Sequence, residues 1–113
     1  MKFQITGKEP HSKGILYKIR YGAVEREVLF LFHSSERIKK WGITESMVIE
    51  TLVKPEEVMT GHRGRFIAHR RYEDHLVRAV YEYDRFLPVL VTIYFPYANR
   101  YFKGGSLYED KIF

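Results

Sequence analysis

The sequence predicts an α+β fold: an antiparallel sheet in the order β-β-α-α-β-β-β, with a helix pair packed on one face. Three features predict it. Two alternating stretches flank Gly22-Ala23, two stretches of helical spacing follow, and three strands rich in apolar residues come next. The 113 residues are one domain by length, and 45% of them are hydrophobic, enough for an ordinary core.

The elements follow in order. Gly7 to Gly14 (GKEPHSKG) reads as a loop by its Gly, Pro and Ser content. Ile15 to Arg20 and Val24 to Phe32 read as a hairpin, because Gly-X suits a type II′ turn. That register sets Arg20 opposite Glu25 and Lys18 opposite Glu27 on one face. Ile15, Tyr17 and Ile19 share the other face with Val28 and Phe30. Ser34 to Trp41 reads as a short helix, with Ser34 or Ser35 as cap, Glu36 in the first turn, Lys39 and Lys40 in the last, and Gly42 as terminator. A second helix starts at the cap Thr44, buries a stripe of Met47, Val48, Ile49 and Leu52, and ends at Lys54-Pro55. Val58 packs as the chain leaves. Arg65 to Tyr72, Leu76 to Tyr83 and Leu87 to Phe95 are strands, and the third is apolar on both faces and therefore central. A two-residue loop at Glu73-Asp74 sets His69 opposite Arg78 and Ile67 opposite Val80. Tyr97 to Phe113 is an irregular or short-stranded tail.

Composition narrows the function. The net charge is +5, and basic residues recur at Arg37, Lys39, Lys40, Arg63, Arg65, Arg70, Arg71, Arg78, Arg100 and Lys103. Such spacing describes a folded basic face rather than a basic tail, and a basic face attracts nucleic acid, acidic membranes or acidic proteins. A solvated surface with a modest charge bias is the plainer alternative. The absence of cysteine excludes disulfides, thiol nucleophiles and Cys-based zinc sites. The longest apolar run, Phe86 to Phe95, is interrupted by Pro88 and Thr92 and falls short of the roughly 18 residues of a membrane span. Met1 to Thr6 lacks a signal-peptide layout, so the expected location is the cytoplasm.

Five histidines are present, at positions 11, 33, 62, 69 and 75, with no metal-ligand spacing, so neither a metal nor another cofactor is expected. His33 stands where a strand turns into a helix, four residues from Arg37, and serves either to close that junction or in a site. Ser34 and Ser35 lack a nucleophile-elbow setting. The acid pairs Glu56-Glu57 and Glu109-Asp110 read as solvated groups beside turns or the tail. The strongest pattern is a basic and aromatic sheet: His69, Arg70, Arg71 and Arg78 on adjacent strands, then Tyr94, Tyr97, Arg100 and Tyr101. RNA cleavage by 2′-hydroxyl attack needs a base, an acid and cations for the phosphate, and no metal. His and Tyr exchange protons, Arg grips phosphate with two parallel bonds, and Tyr stacks bases. The alternative is that the tyrosines fill a sheet face and the arginines lay their stems along it.

The stretch Phe32-His33-Ser34-Ser35-Glu36-Arg37-Ile38-Lys39-Lys40-Trp41-Gly42-Ile43-Thr44, continued through Val48 and Leu52 to Lys54-Pro55-Glu56-Glu57-Val58, resembles a family of small domains of unknown function grouped with RelE-like and BrnT-like toxins. Arg100-Tyr101 is similar to the pair that closes those domains. The resemblance spans roughly Phe32 to Tyr101. It divides the single domain 1–113 into an extra N-terminal hairpin region (1–31), a family-like core (32–101) and a tail (102–113). It implies a RelE-like α+β fold, a metal-independent endoribonuclease and an acidic antitoxin partner. By position it makes His33 and Arg37 the signature pair, Arg71 or Arg78 phosphate ligands, and Arg100 and Tyr101 the closing residues. RelE-type toxins often use lysines around the sheet, and Arg65 to Phe95 contains none.

Three functional expectations follow. The first is an RNA-binding ribonuclease of the toxin type. His33 or His69 then transfers protons, Tyr94 or Tyr101 assists, and Arg37, Arg71, Arg78 and Arg100 hold phosphate. The second is a non-catalytic module that binds nucleic acid or an acidic protein through the same face. The third is a homo-oligomeric structural domain joined through its long apolar strand.

Overall fold

The computed structural model describes residues 2–113. The architecture is α+β, built on one mixed seven-stranded sheet. Strands β1 (Phe3–His11), β2 (Gly14–Tyr21) and β3 (Val24–Leu31) precede helices α1 (Phe32–Trp41) and α2 (Glu45–Val53). Strands β4 (Glu57–Thr60), β5 (Phe66–Tyr72), β6 (His75–Asp84) and β7 (Leu87–Tyr94) follow, and then a single turn of helix, α3 (Ala98–Tyr101). In space the strands lie in the order β1-β2-β3-β7-β6-β5-β4. All neighbours are antiparallel except β3 and β7, which run parallel over a short ladder. The doubly apolar strand β7 is central, as its composition requires.

The hairpin of β2 and β3 has the expected register, with Arg20 opposite Glu25 and Lys18 opposite Glu27. Gly22 takes φ 63°, the conformation that a Gly-first hairpin turn demands. Gly14 is equally constrained, since a Cβ there would run into the Phe30 carbonyl. Thr44 caps α2 by accepting from the Met47 N–H at 3.1 Å, and Gly42 ends α1 in the left-handed region at φ 67°. Val48, Ile49 and Leu52 of α2 and Ile38 of α1 meet Tyr17, Val28, Phe30, Ala68, Val77, Ala79, Tyr81 and Ile93 of the sheet in one core.

The expected order β-β-α-α-β-β-β and its purely antiparallel sheet need correction. Residues 7–14 are not a loop, because most of them belong to β1, which pairs along β2 with a bulge between Ile5 and Gly7. An exposed edge strand needs few apolar residues and tolerates Pro10, so its composition imitates a loop. Strand β4 also went unexpected; it is four residues long, and Val58 is buried within it rather than beyond the last element. The tail is more ordered than its composition suggests. Leu107 and Glu109 bond the two backbone groups of Val58, which covers the outer edge of β4. Asp110 accepts from the hydroxyls of Tyr81 at 2.6 Å and Tyr83 at 2.7 Å, so this acid is not merely solvated.

Neither Ser34 nor Ser35 caps α1. The helix starts directly from β3 with Leu31 at the cap position and no side-chain bond, and Glu36 falls beyond the first turn. Ser34 is fully buried and donates its hydroxyl to the Leu90 carbonyl at 2.7 Å. The Trp41 indole N–H donates to the Ile93 carbonyl at 3.0 Å. Helix α1 thus satisfies carbonyls of β7 that lie at or past the end of the β3 ladder. Among the described residues no helix is long and apolar enough to cross a membrane.

Candidate functional site

Beyond Tyr94 the chain folds back over the start of β6. The Leu76 N–H bonds the Pro96 carbonyl, the Ala98 N–H bonds the Asp74 carbonyl, and Tyr97 bridges His75. This return encloses a cleft of about 550 Å³ between the end of α1, the ends of β6 and β7, and α3. Trp41, Tyr94, Phe95, Tyr97 and Tyr101 supply aromatic walls, and Arg78 and Arg100 supply two cations. Both guanidinium groups lie over the Tyr101 ring, Arg78 at 4.5 Å and Arg100 at 5.8 Å from its centroid. Among the described residues no carboxylate lines the cleft. Its field therefore favours an anion, and its walls favour a planar ring.

The cationic side of the cleft is backed by a row of paired residues crossing four strands. Tyr94 on β7 is opposite Arg78 on β6, Arg78 opposite His69 on β5, and His69 opposite Glu57 on β4. Arg78 Nη1 donates to His69 Nε2 at 2.8 Å, and His69 Nδ1 meets Glu57 Oε2 at 2.7 Å. Guanidinium has only donors, so His69 Nε2 accepts and its single proton stands on Nδ1, donated to Glu57. His69 and Glu57 are both fully buried. Burial holds the His69 imidazole below its ordinary pKa; the bond to Glu57 opposes this and the charge of Arg78 adds to it. Burial pushes the Glu57 carboxyl up, but donors from His69 and from the Lys103 and Gly105 N–H groups outweigh it and hold the acid below the usual range. The pair is thus a neutral imidazole on an ionised carboxylate. Burial also lowers the Arg78 pKa, from a value so high that the group stays charged.

His75 is the histidine in the lining of the cleft. Its ring packs against Phe95 at 4.7 Å and Tyr97 at 4.5 Å between centroids. Its Nδ1 meets Asp74 Oδ1 at 2.8 Å, which leaves Nε2 as the exchangeable position. An imidazole held by a carboxylate, beside two arginines and several tyrosine hydroxyls, is equipped for proton transfer at a phosphate.

The structure gathers four of the sequence-derived candidates, Arg78, Tyr94, Arg100 and Tyr101, in this cleft. His69 lies behind it with both ring nitrogens engaged, so it does not reach a ligand. His33 and Arg37 do meet, Arg37 Nε donating to His33 Nε2 at 3.3 Å, with Thr92 Oγ1 at 3.2 Å from the same nitrogen. That pair sits on α1 outside the cleft lining, although Trp41, one turn beyond Arg37, belongs to it. Arg71 is held elsewhere, ion-paired to Glu56 at 2.9 Å and lying over the Phe102 ring.

Glu57, His75, Trp41 and Tyr97's contact with His75 were not anticipated. One signal for Glu57 was available: a buried His beside an Arg needs an acceptor on its other nitrogen, and a short strand before β5 is a natural source. Among the described residues no three or more His, Asp or Glu side chains gather closely enough to hold a metal ion. Comparison of the chain with protein-family models, with curated proteins and with solved structures gave no match.

Proposed function

We propose that this protein binds single-stranded RNA through the cleft and cleaves it without a metal, as an endoribonuclease of the RelE-like toxin type. The observation that carries the proposal is the cleft itself: two arginines, aromatic walls and a carboxylate-held histidine in one cavity of about 550 Å³. The volume suits one nucleotide. A base stacks on Trp41 or Tyr97, and its phosphate lies between Arg78 and Arg100. The succession of two helices and antiparallel strands between residues 32 and 101 supports the RelE-like reading. The net charge of +5 suits RNA and equally an acidic antitoxin.

In the proposed reaction His75 Nε2 takes the proton of the ribose 2′-hydroxyl. The 2′-oxygen attacks the adjacent phosphorus, and the bond to the 5′-oxygen breaks. Tyr101 gives that oxygen a proton, and solvent returns a proton from His75 to Tyr101. The products are a 2′,3′-cyclic phosphate and a 5′-hydroxyl. Arg78 and Arg100 stabilise the charge that grows on the phosphoryl oxygens.

The test is incubation of labelled single-stranded RNA with the protein in EDTA, beside His75→Ala and His33→Ala. The expected result is cyclic-phosphate ends from the wild type and from His33→Ala, and none from His75→Ala. Tight, salt-weakened binding without product would instead establish a non-catalytic RNA-binding module. Equal cleavage by all three proteins would remove His75 from the mechanism.

A further inference from the structure

Glu57 is the most connected polar group behind the cleft. Its Oε2 accepts from His69 Nδ1 at 2.7 Å and from the Lys103 N–H at 2.9 Å, and its Oε1 accepts from the Gly105 N–H at 2.9 Å. Through His69 it reaches Arg78, a cation of the cleft. Lys103 and Gly105 follow directly on α3, which carries Arg100 and Tyr101, the other cationic wall. One buried carboxylate therefore ties both cationic walls of the cleft to the rigid sheet.

We infer that Glu57 and His69 are positioning residues, which fix Arg78 and the α3 segment at the separation a nucleotide phosphate requires. The inference rests on the cleft being a nucleotide site. Neither residue touches the ligand. His69 works as a fixed acceptor for Arg78, and its proton stays on Nδ1. A Gln at position 57 cannot replace the carboxylate, because its NH2 must oppose either the His69 N–H or a backbone N–H. If His69 answers by moving its proton to Nε2, it turns a donor toward Arg78 and expels the guanidinium. At position 69, Gln carries an acceptor at the distance of Nε2, whereas Leu of similar size carries none.

The experiment uses two readouts on the wild type, Glu57→Gln, His69→Gln and His69→Leu. Trp41 is the only tryptophan and lines the cleft, so its fluorescence reports binding of adenosine 3′-monophosphate, the probe. Nitrogen-15 NMR reports the His69 tautomer, the Arg78 Nε–H and the Lys103 and Gly105 amides. We expect Glu57→Gln and His69→Leu to weaken probe binding about tenfold or more, the factor of one lost charge-assisted bond, while His69→Gln retains most of it. The Arg78, Lys103 and Gly105 signals should shift together in Glu57→Gln. Equal losses in His69→Gln and His69→Leu would show that an acceptor facing Arg78 is not what holds the guanidinium in place, and would overturn the positioning role. If the wild type bound no mononucleotide, the nucleotide reading would fail by itself. The NMR readout would still decide the positioning, since unchanged Arg78, Lys103 and Gly105 signals in Glu57→Gln would overturn it.

Discussion

Two pairs in this molecule join an Arg nitrogen to a His Nε2, and they work in opposite surroundings. His33 and Arg37 meet at 3.3 Å on the open side of α1, with water on hand to replace either partner. His69 and Arg78 meet at 2.8 Å, with His69 fully buried and its other ring nitrogen on a fully buried carboxylate. The residue types are the same. Desolvation makes the second contact determine the shape of a site and leaves the first as a surface detail.

Breaking the buried pair at its base should have the largest effect. Glu57→Ala leaves the His69 Nδ1–H and the Lys103 and Gly105 N–H groups without acceptors. It should lower stability by about 3 kcal/mol or more, roughly 1–3 kcal/mol for each buried donor left unsatisfied, read as a shifted urea midpoint with m unchanged. Arg78→Ala should cost less stability, about 1–3 kcal/mol for the unmade acceptor at His69. It should also lower RNA cleavage about 100-fold in kcat, the scale of one lost oxyanion donor. A variant that cleaves normally without Arg78 would dissolve the distinction between the pairs.

The buried pair should also respond to pH. His69 has its pKa lowered from an ordinary value near 6.5 by burial, with Glu57, Arg78 and Lys103 facing it. Below that value the unfolded chain takes up a proton that the folded protein refuses. The unfolded state then binds more protons, so this contribution is complete above about pH 6.5 and declines as pH falls toward the folded pKa. Glu57, lowered from an ordinary value near 4.5, adds a loss of the same sign below that pH. Stability should therefore fall on acidification by up to about 1.4 kcal/mol per pH unit for His69. His69→Leu should flatten the slope below about pH 6.5. The smallest effect belongs to the exposed pair: Arg37→Ala should shift stability by no more than about 0.5 kcal/mol and leave the probe's affinity unchanged.

The sequence patterns that specified structure well were those with a two-sided test. The β2–β3 register was legible because opposite charges and apolar residues had to fall on separate faces, and β7 was legible as central because it is apolar on both. The pairing of His69 with Arg78 followed from the length of one turn. What escaped was set by exposure and by distance along the chain. Strand β1 is largely solvated and therefore reads like a loop. Glu57 looks like half of a surface acid pair, and its donors come from His69 on the next strand and from the tail residues Lys103 and Gly105, more than 40 positions away. His75 gains its place from a return of the chain after β7 that no local pattern announces.

The central claim is that the cleft, and not the face of α1, receives RNA. Trp41 fluorescence tests it most directly, in a titration with a short single-stranded RNA at low and moderate salt. The wild type and Arg37→Ala should show the same saturable change, weakened by salt, and Arg78→Ala should show almost none. A signal that survives in Arg78→Ala and disappears in Arg37→Ala would contradict the account.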